Sequence, residues 1–321
     1  MSDYADQIQP VGQLGPSGDQ RWFPFTALSR RPHLLWPAQK PAAVSVVIDL
    51  RAAEWEHPES LPAVRPPGGR GIAPFPDIPR MSNREFGHRV GVFRLGEILQ
   101  SVGLRASVVI DVMTVEKYAP LLDHLRQFTS EFIAGGMSAS RPITSRMTED
   151  EELHYIETTM ERLMSGLGVT PDGWLGAAHS ESFRTPRLLA SCGIRYVADW
   201  GNDERPYLLM GMASGMWSFP LSWELSDLRA MHERGVSPER YSKSIVEAID
   251  VVASDGAPEG RMVALHLHPW VSGQAFRADA LERAFKVITK AESHIWHASP
   301  GQIIDWCQSR AEALEDANGT S

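Results

Sequence analysis

The chain has 321 residues, is 43% hydrophobic and carries a formal net charge of -9. That length suits one large α/β barrel or two smaller domains, and the apolar content rules out a globally disordered chain. Net acidity without a Lys/Arg run argues against nucleic acid as a partner. The two cysteines, Cys192 and Cys307, make no disulfide framework and fit a reducing compartment. The segment MSDYADQIQP has neither a basic stretch nor an apolar h-region, and no run approaches ~20 apolar residues, so a soluble cytoplasmic protein without membrane contact is expected.

Residues 1–40 lack periodicity and read as an irregular N-terminal arm ahead of a single domain over 41–315. The first strand is Ala43 to Ile48, a continuous apolar run of the kind buried on both faces, ending at Asp49 with Glu54 shortly after. Residues 57–83 form a long Pro/Gly loop, which points to a packed lid or subunit contact that decides the substrate. A helix over 91–103 follows, then a strand Ala106 to Ile110 ending at Asp111, a helix over 114–128 and a short strand at Phe132-Ile133. Thr148 and Glu151 make a capping box for the next helix.

The stretch from Gly173 to Tyr207 reads as strand, polar loop, helix, strand, loop. Trp174-Leu175 is the strand, Thr185-Pro186 opens the helix, Gly193 stops it, and Arg195 to Ala198 is the next strand. Such a βαβ unit has parallel strands, and groups just past their C-termini are placed for chemistry. Here these are His179, Ser180 and Glu181, then Asp199, Trp200 and Asp203. Further strands end near Phe219-Pro220, at Met262 to His266, and at His294 to His297, with helices over 241–254, over 279–290 and after Ser299-Pro300. Seven or eight strands alternating with helices predict a barrel of the (β/α) type, and no glycine-rich phosphate loop follows a strand.

The segments VVIDLRAAEWE (46–56), FGHRVGVFRLGEIL (86–99), SRPITSRMTEDEE (140–152), GWLG (173–176), RYVADWGNDERPY (195–207), FPLSWELSD (219–227) and LHLHPWVSGQAFR (265–277) together resemble the polysaccharide deacetylase (NodB-homology, carbohydrate esterase 4) superfamily. The closer branch is that of metal-independent allantoinases and cyclic imide hydrolases. The resemblance implies a distorted barrel of about seven strands, a homodimer or homotetramer, and a site at the strand C-termini. Family deacetylases hold a divalent metal through an aspartate and a His-x3-His pair. The pair falls at 135 and 139, where this chain has Gly135 and Ala139, and the single remaining carboxylate, Asp49, holds no catalytic metal. No metal or other cofactor is therefore expected.

Among the residues, alternation along a strand puts His266 and His268 on one face, pointing into the barrel mouth. His268 is expected as general base or substrate ligand, with a carboxylate such as Asp49 orienting it. Asp49 or Glu224, desolvated among aromatic walls of Trp55, Trp200, Trp223 and Trp270, is the competing base, and Glu54 the further acid. His179 is a new imidazole at a strand top, either a donor, a base or a solvated loop residue; space left by Gly135 would take its ring or a bulkier substrate. Arg89 would bind a substrate carbonyl or carboxylate, or form a structural ion pair. Ser180 and Ser182 lack a nucleophile-elbow sequence. The leading expectation is a metal-independent hydrolase of a non-peptide C–N bond in a small cyclic amide, imide or ureide. Lyase, isomerase or C–C hydrolase chemistry on the same scaffold, and a non-catalytic small-molecule binder or assembly protein, are the alternatives.

Overall fold

The computed structural model describes residues 20, 22–31, 33–55, 77–212, 215–254 and 260–319. Nine strands make one sheet: β1 Ala42–Leu50, β2 Ala106–Ile110, β3 Thr129–Ala134, β4 Gly173–Trp174, β5 Tyr196–Val197, β6 Tyr207–Leu208, β7 Trp217–Ser218, β8 Arg261–Leu267 and β9 Ile295–His297. Among the described residues eight of them run in the order β6-β7-β5-β4-β3-β2-β1-β8, with β9 beside β1, and all pair in parallel except β6 with β7. The sheet curls into a half-barrel with helices around it, the distorted α/β barrel that the family resemblance implies. The antiparallel β6 is the strand the sequence does not announce, because Tyr207-Leu208 is too short to show alternation.

The longest strand is β1, next to the β8 end of the sheet, and all nine of its residues are buried. It pairs with β8 from Ala42 to Ile48 on one side. On the other, its end from Val47 to Leu50 pairs with β2 and its start from Ala42 to Val44 pairs with β9. Side chains alternate between two apolar layers. Val44, Val46, Ile48, Val108, Ile110 and Leu265 meet the outer helices. Ala43, Val47, Val109, Ile133, Leu175 and Phe219 fill the interior, which Trp36 of the arm and Ile303 and Ile304 of the last helix join.

The same alternation places the polar groups. Val47 pairs with His266, so Asp49 and His268, two residues further along each chain, emerge on that interior face at the strand ends. Asp111, two residues past interior Val109, follows β2 in the same way, and Asp199 lies just beyond the end of β5. The interior is thus apolar below and charged at its C-terminal rim.

Most element boundaries shift by a few residues from the sequence reading, and two helical segments differ more. The first helix starts at Ile78, capped by Asp77, and runs through a π-helical turn, Gly87–Gly91, into Val92–Ser101. The long loop therefore ends at 77; residues 56–76 lie outside the described residues. The helix expected over 114–128 is two, Val112–Lys117 and Leu122–Arg126, separated by a turn at Ala119-Pro120. The capping box at Thr148 and Glu151 forms as expected, on helix Glu149–Leu167. No helix among the described residues is long and apolar enough to cross a membrane.

Candidate active site at the strand C-termini

A cavity of about 190 Å³ opens at the charged rim, lined by Asp49, Arg51, His179, His266 and His268, with Trp223 and Trp270 as walls. Arg51 lies two residues beyond Asp49 and turns back on it. Its Nε donates to Asp49 Oδ1 at 2.8 Å, Nη2 donates to Oδ2, and Nη1 donates to the Leu175 carbonyl at 3.1 Å. Burial alone would raise the Asp49 carboxyl. The Arg51 cation and the hydrogen bonds of His266 and Arg51 outweigh it and hold the group well below the usual carboxylate range. Asp49 is thus an anion locked in an ion pair and a weak base, which corrects the expectation of a raised carboxyl there.

His266 Nε2 lies 3.3 Å from Asp49 Oδ2, and the His266 and His268 rings are 4.5 Å apart between centroids. The partner that orients His268 is Asp227, not Asp49. Asp227 Oδ1 is 2.7 Å from His268 Nδ1, while Oδ2 accepts from the His268 backbone N–H at 2.8 Å and the Ser272 hydroxyl at 2.6 Å. A fully buried carboxylate with these three donors puts the His268 proton on Nδ1 and leaves Nε2 as a lone pair at the cavity, 3.6 Å from Asp49 Oδ2. The segment is held close by the helix opposite. A Cβ at Gly91 would collide with the Pro269 carbonyl, so only glycine admits this approach.

His179 sits in left-handed backbone (φ 53°), as does Ala178 (φ 57°), a strained pair for non-glycine residues. Its ring packs on Trp223, centroids 5.1 Å apart, and edge-on to His266. Burial, then the neighbouring His266 and Arg51, push its pKa down to about 3, so it is a neutral imidazole. Nδ1 has no hydrogen-bond partner among the described residues. Behind it, burial drives Asp199 up to about 7, and burial with the Asp199 charge raises Glu181 well above the ordinary range; the two acids hold a proton between them. Burial likewise takes Asp111 to about 7.

No protein-family model matches the sequence, and no curated protein matches it. Solved structures do. PuuE allantoinase matches with a TM-score of 0.74 and 20% identity, over 89% of this chain and 98% of that one. A protein of Pseudomonas aeruginosa PAO1 assigned to the polysaccharide deacetylases matches with a TM-score of 0.74 and 21% identity, over 88% and 97%. The chain has the NodB-homology fold. A carbohydrate esterase family 4 pseudoenzyme from Bacillus anthracis, at a TM-score of 0.50 and 10% identity over 88% and 73%, shares it too, so the fold by itself does not decide catalysis.

Against that NodB-homology frame, the metal-binding set of the deacetylases does not fit. A Cβ at Gly135 would lie 2.6 Å from Cδ of Arg51, so the Arg51 side chain fills the space where a residue at 135 would project. The sequence reading put the His179 ring or a bulkier substrate in that space; the Arg51 side chain occupies it instead. Asp49, His266 and His268 bring one ligand atom each within 4.8 Å of one another. The guanidinium clamped on both Asp49 oxygens already sets a fixed positive charge against that cluster.

The other sequence candidates divide. His268, Asp49, His179, Trp223 and Trp270 line the cavity. Glu224 does not: its side chain is 67% exposed and paired with Arg234, which lowers its pKa. Arg89 is exposed in a separate groove with Trp55, Glu85 and Lys117. It is five residues past Arg84, well round the helix from the face that Arg80 and Arg84 turn to the cavity. Glu54 is bound to Arg141 and Ser138 outside the cavity, and Trp55 donates to Glu85. Trp200 packs on Trp22 and Phe23 of the arm while its Nε1–H donates to Glu181. Ser180 and Ser182 donate to Ile143 O and Glu152, so neither hydroxyl is presented as a nucleophile. Sequence reasoning missed Arg51, Asp227, Arg80, Arg84 and Arg229. The Arg80/Arg84 spacing of four was the one signal available for this set.

Proposed function

We propose that the chain is a metal-independent hydrolase of a C–N bond other than a peptide bond, in a small cyclic amide, imide or ureide. The observation that carries this reading is the Asp227–His268 pair, whose free Nε2 meets the cavity beside a built-in cation, Arg51. His268 Nε2 takes a proton from water as its oxygen bonds to the ring carbonyl carbon, and buried Asp227 stabilises the imidazolium that forms. Of five guanidinium N–H groups, three of Arg51's are engaged, leaving one on each Nη for the carbonyl oxygen as it gains charge. The neutral His179 ring lines the same cavity, packed against Trp223, and closes that side of it. The C–N bond then breaks, the electron pair goes to nitrogen, and His268 returns its proton there. The product is a ring-opened acid, with one water consumed.

A panel of succinimide, hydantoin, dihydrouracil and allantoin, followed by loss of ring absorbance, tests this. Wild-type turnover of at least one ring is expected, with His268→Asn lower by about 10²–10⁴-fold and exposed Glu224→Gln unchanged. Binding of these rings without turnover, or full activity in His268→Asn, would sink the reading.

A further inference from the structure

We propose that the substrate carries a carboxylate in addition to the bond that is cut, and that Arg84 is its receptor. This rests on the hydrolase reading for the reacting group and adds what the rest of the molecule presents.

The charge inventory is the first support. In a chain of net charge -9, the cavity is lined by four arginines, Arg51, Arg80, Arg84 and Arg229, against two carboxylates, Asp49 and Glu233. Asp49 is taken by Arg51, and Glu233 by Arg229 at 2.9 Å. Arg84, on the cavity side of the helix Ile78–Phe86, is a further lining cation, and neither of these carboxylates is hydrogen-bonded to it. Such a cation favours an anion, and a neutral ring offers it no counter-charge.

The second support is Arg84 itself. Its guanidinium lies 5.8 Å from the centroid of Trp270, and no described carboxylate or carbonyl lies within hydrogen-bond reach of it. Burial and the neighbouring Arg80 bring its pKa down to about 10, which still leaves it charged at neutral pH. A desolvated cation without an anion is costly unless a ligand supplies one. Its planar fork matches a carboxylate through two parallel N–H···O bonds.

Position gives the third. Trp270 also faces His268, with centroids 6.3 Å apart, so one indole separates the anion receptor from the reacting imidazole. A cavity of about 190 Å³ accepts a molecule with its carboxylate a few bonds from the scissile carbonyl. During reaction the substrate carboxylate would face Arg84 and the developing oxyanion Arg51.

Binding without turnover tests it. Succinamate and glutaramate, each with one amide and one carboxylate, are titrated calorimetrically beside the neutral succinamide and glutaramide. The wild-type protein should prefer the amido acids by about tenfold or more, the range of a charge-assisted pair. Arg84→Gln should erase the preference, Arg84→Lys should retain part of it, and Arg89→Gln, on the exposed side of the same helix, should keep it whole. Equal binding of acid and diamide, no saturable binding of either, or an undiminished preference in Arg84→Gln would overturn the proposal. A protein that shows the preference yet opens no ring would keep the anion site and lose the hydrolase reading.

Discussion

Asp227→Asn is the sharpest perturbation of the site because the geometry dictates what the amide must do. Oδ2 accepts from a backbone N–H, at His268, and from the Ser272 hydroxyl. The backbone donor cannot reverse, so the asparagine carbonyl oxygen must take the Oδ2 position. The NH₂ group is then forced to the Oδ1 position, facing His268 Nδ1. A donor there requires Nδ1 to be unprotonated, which moves the imidazole proton to Nε2, the atom that faces the cavity. The general base is lost while every heavy atom stays in place. General-base assistance is worth about 10²–10⁴ in rate, or roughly 3–5.5 kcal/mol of barrier, and kcat/KM at neutral pH should fall by that factor. Stability should change by no more than about 1–3 kcal/mol, since all three hydrogen bonds survive with one reversed. The assay is kcat/KM on the best ring of the panel, with thermal melting beside it. Asp227→Asn combined with His268→Asn should be no slower than His268→Asn alone, because both disable one unit. Wild-type kcat/KM in a folded Asp227→Asn protein, or a double variant slower by the product of the two single losses, would refute the argument.

Removing Arg51 as Arg51→Met should destabilise the fold by about 3–5 kcal/mol in urea unfolding, because it leaves Asp49 charged and buried without its partner; a change below about 1 kcal/mol would contradict the pairing. The same ion pair sets an acid limit. Asp49 has a folded pKa depressed below its unfolded value, so its contribution is present above about pH 4 and is lost as pH falls through the depressed value. Asp199 behaves in the opposite sense. Its pKa, raised to about 7 chiefly by burial, makes its contribution complete below about pH 4 and lost as pH rises to about 7. Asp199→Asn, which keeps an acceptor for the Gly176 N–H, should therefore flatten the decline of stability across that window; an unchanged slope would show that the pair with Glu181 does not titrate there. Mass spectrometry of the purified protein should find divalent metal far below one equivalent per chain. A stoichiometric ion lost in Asp49→Asn, His266→Ala and His268→Ala alike would replace the metal-independent reading with a site rebuilt on those three ligands.

The barrel was legible because its evidence is periodic and local. Runs such as Ala42–Leu50 and Arg261–Leu267 are buried on both faces and show it, and Thr148 with Glu151 marks a helix start within four residues. The His266/His268 face was legible for the same reason, since alternation alone sets it. What the sequence hid were pairings between distant segments. Asp227 and His268 are separated by 41 residues and meet only because β8 ends beside the π-helical turn Leu228–Glu233. Glu224, three residues before Asp227, drew attention by lying after a strand, yet the chain turns it to solvent and Arg234. A strand top is a position along the chain, and which way the next residues face is decided by what packs on them.

Arg51 shows how far that reasoning goes. Glycine at 135 reads in sequence as a deletion, a histidine lost and a space gained. In the folded chain the space belongs to a side chain from β1's end, two strands away across β2, and that side chain is a cation bound to Asp49. Neither change is informative alone: Gly135 without Arg51 leaves a void and an unpaired Asp49, and Arg51 with a histidine at 135 has no room. On the metal-independent reading they are one substitution in two places, in which a positive charge that the deacetylases borrow from an ion is carried by the chain itself. Its position then no longer depends on pH-sensitive ligands, because a guanidinium held by a depressed carboxylate keeps its charge through neutral pH.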